Sequence, residues 1–170
     1  MPIEFTELDS MQNPLWDYGW FARTSFRIDS DDDRPDTDVV REFISAPIYQ
    51  RYFCESPDPW GVPIARHGSF PTKKIAKEWY RKTNSSELRT RIQRTIHDAQ
   101  FDAPPEAEQM QAITTWVSGV ESTRSTIFAM DAPEDETVRV DWAHVWFVFT
   151  EFICLNQAGT HLTVAVIGYD

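Results

Sequence analysis

Cysteine and glycine are scarce, and no apolar run is long enough to cross a bilayer. Each shortage removes a class of protein. Cys54 and Cys154 stand a hundred positions apart, so no dense disulfide framework replaces a hydrophobic core. Two separately buried thiols in a reducing compartment are the expectation. With 6 Gly in the chain, few backbone cradles for phosphate can exist. Gly68-Ser69-Phe70-Pro71-Thr72-Lys73-Lys74 lacks the paired glycines of a P-loop. The longest apolar stretch, Trp142 to Leu155, is interrupted by His144, Thr150 and Glu151. It also falls short of the ~20 residues of a spanning helix, so no membrane segment is expected. The opening Met1-Pro2-Ile3-Glu4 carries neither a basic nor an apolar leader region, which points to the cytoplasm.

Catalytic and metal-binding spacings are missing too. The four histidines, at 67, 97, 144 and 161, include no pair at i, i+4 or i, i+2. Neither a metal nor a cofactor is therefore expected. Asp29, Asp31 and Asp33 take the first, third and fifth places of an EF-hand-like loop. Arg34 then stands where the turn needs Gly, and Val40 where a bidentate Glu is needed. There is no G-x-S-x-G elbow, and both cysteines read as packing thiols.

Glu151 is the acid to watch, because it interrupts a strongly apolar strand; His144 and His161 are its nearest candidate partners. His144 lies seven residues from Glu151, which places the two on opposite faces of a regular strand. With a hairpin loop centred on Ala158, His161 pairs with Leu155 and Glu151 with Ala165. Glu151 and His161 then share a face, but about 13 Å apart. The expectation is architectural: a carboxylate at the sheet rim, or one paired with an arginine from a covering helix. A reacting acid in a pocket is the alternative.

What the chain does have is rings and acids. It holds 11 Phe, 7 Trp and 5 Tyr among 170 residues that are 41% hydrophobic, enough for one aromatic-rich core in a single domain spanning 1–170. Trp20, Ala22, Thr24, Phe26 and Ile28 alternate with Phe21, Arg23, Ser25 and Arg27, the pattern of a half-buried strand. A helix is predicted after the Asp-rich run, with Val39, Val40, Phe43 and Ile44 inward. Pro47 kinks it before Ile48, Tyr49, Tyr52 and Phe53 repeat the spacing. Residues 56–70 read as loop. Ile75, Ala76, Trp79 and Tyr80 predict a further helix after Pro71. Asn84 and Glu87 predict a capping box ahead of Leu88, Ile92, Ile96 and Ala99. A last helix is expected from Pro104-Pro105 to Gly119, with Ala107, Met110, Ile113, Thr114 and Val117 inward. Strands then follow at 125–130, across Val138, Val140 and Trp142, from His144 to Leu155, and from His161 to Tyr169. The predicted fold is α+β: an N-terminal strand, a run of four or five helices, then a C-terminal antiparallel sheet of three to four strands ending in a hairpin.

Charge is uneven. Residues 66–94 hold nine basic residues against Glu78 and Glu87, a net of +7. The rest holds 7 basic and 25 acidic residues, a net of −18 within a total of −11. Such a field opposes loose binding to phosphate backbones and favours a partner with a basic surface. Exposed aromatics beside acids would supply anchors, and Trp16, Asp17, Tyr18, Asp58 and Trp60 are the candidate binding residues. This physical character is shared by stoichiometric inhibitors of basic enzymes, among them bacterial immunity proteins that neutralise toxins. The expectation is accordingly a protein-binding module. The alternatives are a small-molecule or enzymatic pocket between the helices and the aromatic C-terminal sheet, and nucleic-acid binding through the basic residues 66–94, with Trp79 and Tyr80 available for stacking.

Overall fold

The period-two run at Trp20–Ile28 does form a strand, and it lies inside a larger sheet than the sequence announces. The computed structural model describes residues 2–15, 19–30, 33–51, 65–98, 104–139 and 148–169. Strands β1 (Glu4–Pro14) and β2 (Gly19–Asp29) make an N-terminal hairpin, followed by helices α1 (Asp36–Ser45) and α2 (Pro47–Arg51). Two short strands, β3 (Arg66–His67) and β4 (Phe70–Pro71), form a separate ribbon. Then come β5 (Tyr80–Thr83), α3 (Ser85–Asp98), α4 (Ala107–Ser122), β6 (Thr126–Met130), β7 (Val148–Leu155) and β8 (His161–Tyr169). The main sheet has six strands in the order β1-β2-β8-β7-β6-β5, with every neighbouring pair antiparallel.

This corrects the predicted arrangement. The class is α+β, but among the described residues the helices come as two pairs separated by strands, not as one run. The sheet also begins with two N-terminal strands, not one. β1 escaped notice for a specific reason. Its register against β2 slips between Glu7 and Asp9, so Leu8 is an extra residue in a bulge. Before the bulge, Phe5 opposes Ile28 and packs on Phe43; after it, Met11 opposes Arg23 on the other face. An odd-numbered residue changes side midway, and a period of two cannot be read across that change.

The predicted helix over Ile75–Tyr80 is absent as well. That stretch forms 3-10 turns at Thr72–Lys74 and Lys77–Trp79 and then the edge strand β5, paired with β6. Ile75, Trp79 and Tyr80 are still buried, so the apolar signal was right while its period was too short to decide the element. In α4 the sequence placed Thr114 inward; Thr114 is exposed, and Trp116 takes the buried position. Gly119 lies within α4 instead of ending it. Val138 sits in a 3-10 turn, and Val140 and Trp142 lie outside the described residues.

Other local readings match. α1 buries Val39, Val40, Phe43 and Ile44, and Pro47 opens a separate short helix. Asn84 Oδ1 accepts from the Glu87 amide at 2.9 Å, while the Glu87 carboxylate turns to Arg91 instead of reaching back. β7 is an inner strand, buried on both faces from Glu151 onward. One core packs Phe26, Ile153, Val164 and Val166 under α1, α2 and the Phe70–Tyr80 segment. The other packs Phe21, Phe152, Cys154 and Ile167 under α3 and α4. Cys154 is a free, buried thiol.

Two glycines test this packing in opposite directions. A methyl on Gly168 would sit 2.6 Å from the Trp20 ring, whereas one on Gly119 meets nothing within 4 Å. Gly168→Ala is expected to lose about 1–3 kcal/mol through overpacking. Gly119→Ala is expected to gain about 0.5–1 kcal/mol in helix propensity. Urea unfolding midpoints at constant m-value read both.

Candidate functional site

Glu151 is fully buried, with 0% of its surface exposed, on the face of β7 that meets α2. It is not at the sheet rim, and no arginine meets it among the described residues. Its Oε1 accepts from the Tyr80 hydroxyl in a short contact and from the Tyr49 hydroxyl at 3.3 Å. The two hydroxyls are 2.6 Å apart. Oε2 lies 2.7 Å from His67 Nδ1, and His67 Nε2 lies 2.8 Å from the Tyr49 carbonyl oxygen. The His67 ring also stacks on Tyr49, with centroids 4.0 Å apart.

Four elements deliver these groups. Tyr49 comes from α2, His67 from β3, Tyr80 from β5 and Glu151 from β7. The turn behind His67 is fixed by Gly68, whose φ of +55° suits a residue without a side chain. The buried Arg66 guanidinium donates to the Gly68 carbonyl at 2.7 Å.

Donor bookkeeping constrains the cluster. A carbonyl oxygen only accepts, so His67 Nε2 carries a proton. The Nδ1–Oε2 contact holds one more, and the pair is neutral as a whole wherever that proton sits. Every polar atom of the carboxylate has a partner, which is how a buried acid is tolerated. Burial, and next the negative charge of Glu151, push both tyrosine hydroxyls well above their ordinary value of 10.0. The cluster is saturated and sealed. It does the work of a cross-link, with no face open to a substrate.

The predicted companions of Glu151 do not join it. β8 pairs Leu155 with Leu162 and Glu151 with Val166, one residue away from the register expected from a loop centred on Ala158. That slip puts His161 on the opposite face from Glu151. His161 is exposed, with Nδ1 2.9 Å from the Thr160 hydroxyl. His144 lies outside the described residues, as do Trp16, Asp17, Tyr18, Asp58, Trp60 and Cys54. His67 and the two tyrosines were missed. Their partners lie between 71 and 102 residues from them in sequence, and no local pattern encodes such meetings.

His161 instead borders a half-open groove of about 730 Å³ between α4 and the sheet. Met11 and Asn13 of β1, Arg23 of β2, and Glu108, Trp116 and Gly119 of α4 also line it. Trp116 is buried and its Nε1 has no hydrogen-bond partner among the described residues. Cys154 is the thiol on this wall. Burial pushes it up to about 12, so it stays protonated and unreactive at neutral pH.

The basic stretch 66–94 is not a helical pair. Trp79 and Tyr80 are buried and unavailable for stacking on bases. Several of its cations are already engaged: Arg81 and Arg91 each lie 2.6 Å from Asp131, and Arg89 meets Glu121 through two nitrogens.

Among the described residues no group of three or more His, Cys, Asp or Glu is placed to hold a metal ion. No described helix is long and apolar enough to cross a membrane. Comparison with protein-family models, with curated proteins and with solved structures finds no match to this chain.

The sealed cluster makes two quantitative demands. Glu151→Leu leaves the Tyr80 hydroxyl proton and His67 Nδ1 buried without their partner, and is expected to cost about 3–5 kcal/mol in urea unfolding. Tyr80→Phe removes one bond to the carboxylate and is expected to cost about 1.5–3 kcal/mol. The alkaline side carries a sign. Above pH ~10 the unfolded chain releases the Tyr49 and Tyr80 protons while the folded chain keeps them. Stability is complete below that pH and falls above it, by up to about 2.7 kcal/mol per pH unit from this pair. The double Phe variant should lose that part of the slope in unfolding curves recorded between pH 9 and 11.

Proposed function

We propose that the chain is a protein-binding module that takes an extended, basic segment of a partner along the outer edge of β1. A stoichiometric inhibitor of the immunity type is the biological role this reading fits. The observation that carries it is the edge itself. β1 runs for 11 residues at the margin of the sheet, and among the described residues nothing pairs with its outer side. An unpaired edge offers a row of backbone donors and acceptors to an incoming strand.

The side chains select what can pair there. Glu4, Glu7 and Asp9 are the charges of β1, all exposed, and the strand has no Lys or Arg. Leu8, 48% exposed at the bulge, is the exposed large hydrophobic residue of the described surface. A second copy of β1 would bring acid against acid, which disfavours self-pairing. A segment rich in Lys or Arg meets the complementary field, and the net charge of −11 accelerates its approach. The free buried thiol of Cys154 supports work in a reducing compartment, the cytoplasm.

The groove under α4 favours a second reading, a small-molecule site. Its size lies within the ~300–1,000 Å³ of such pockets, and the unpartnered Trp116 N–H offers a donor.

One experiment separates the two. The probe is a fluorescent peptide as long as β1 that alternates Lys and Val, with a copy N-methylated at alternate amides as control. Binding to the full chain should weaken as salt rises, vanish on N-methylation and fall about tenfold or more in Glu7→Lys. It should survive Gly119→Leu, which fills the groove. Equal affinity for the methylated peptide, or no affinity for either, overturns the edge reading. Loss in Gly119→Leu alone moves the site to the groove.

A further inference from the structure

We propose that the chain also binds a small oxyanion, of the phosphate class, in a second hollow between the end of α3 and the start of β7. This hollow is separate from β1 and from the groove under α4. Its volume is about 260 Å³, below the ~300 Å³ at which drug-sized sites begin, so it suits a phosphoryl group with at most a short tail.

Its lining is rich in donors. Arg94 and Arg139 contribute guanidinium groups, and Ser69 and Thr95 contribute hydroxyls from buried residues. The Arg139 Nε is buried without a hydrogen-bond partner among the described residues, and its guanidinium carbon lies 5.4 Å from the Phe70 ring centroid. That cation–π contact holds the guanidinium at the cavity wall, and arginine's forked donors suit it to bind phosphate through two nitrogens. Asp98 is the acid of the lining, and it lies 3.4 Å from the exposed His97.

The setting sharpens the inference. In this acidic chain most arginines are drawn to a carboxylate, Arg23, Arg27, Arg81, Arg89 and Arg91 among them. Arg94 and Arg139 make no ion pair among the described residues, although 27 carboxylate side chains are present. Two uncompensated cations, two buried hydroxyls and a desolvated N–H around one cavity leave acceptors in deficit. A tetrahedral oxyanion supplies several acceptors at once. Protein carboxylates could supply them too, but among the described residues of this wall the one carboxylate is that of Asp98.

The test uses the full chain and three probes: inorganic phosphate, phenyl phosphate, and sodium chloride at matched ionic strength. Calorimetric titration should register phosphate binding that chloride does not mimic. Arg139→Gln and Arg94→Gln should each weaken it about tenfold or more, as loss of a charge-assisted contact does. Arg124→Gln removes an exposed cation elsewhere and should leave it unchanged. If Arg139→Gln fails to fold, Ser69→Ala reads the same wall with a smaller loss. Tighter binding of phenyl phosphate would identify an organic phosphate ester as the ligand; tighter binding of phosphate would identify the free ion. No phosphate heat distinct from chloride, or full binding by the Arg94→Gln/Arg139→Gln double variant, overturns the proposal. Because β1 is untouched, failure here leaves the edge reading standing, and the reverse holds too.

Discussion

A carboxylate without access to water organises one whole face of this protein. Glu151 is held by hydrogen bonds from α2, β3 and β5 at once, and three of its ligands come from segments with little regular structure of their own. α2 is a five-residue helix and β3 a two-residue strand. Neither could order itself by local propensity, since isolated helices of that length do not persist in water. A buried acid penalises every arrangement in which its partners are missing. The chain is thereby tied to the middle of the sheet at Tyr49 within α2 and again at His67, before it joins the sheet as β5.

The two faces of the sheet solve the same problem by different chemistry. Under α3 and α4 the contact is apolar, with Leu88, Ile92, Ile113 and Val117 packed on Phe152, Cys154 and Ile167. Under α1 and α2 the core is aromatic, with Phe26, Phe43 and Tyr49 in edge or tilted contact, and the polar quartet lies beneath it. Polar atoms are concentrated where the covering chain is irregular. They are sparse where two long helices cover the sheet, the Trp116 N–H and the Cys154 thiol being examples. Directional bonds specify what short elements cannot, and apolar contact suffices where the elements are already ordered.

Legibility from sequence followed the range of the interactions involved. The α1 stripe, the Asn84 cap and the β-rich C-terminus were readable because each is set by neighbours within a few positions. The Tyr80 edge strand, the β1 bulge and the His67–Glu151 contact were not, because each depends on a partner beyond the reach of a local pattern, from 16 residues away at the bulge to 84 at His67. Glu151 was conspicuous as an acid in an apolar strand, yet its environment could not be inferred. A one-residue error in the β7–β8 register was enough to give it the wrong face and the wrong histidine. The charge imbalance was visible from composition, but not that Asp131 and Glu121 would engage three of the nine cations of the basic stretch.

The strand order has a consequence for how the molecule is made. β2 gains its inner neighbour only when β8 arrives, although the two are separated by most of the chain. During vectorial synthesis the β1–β2 hairpin therefore emerges with Trp20, Phe21 and Phe26 on a strand whose inner neighbour does not yet exist. Completion of the sheet waits on β8, whose residues stand 134 to 150 positions after their partners in β2, and pairing over so long a separation is slow. Until β8 arrives, the acids of β1 oppose pairing of that open margin with a second copy of itself.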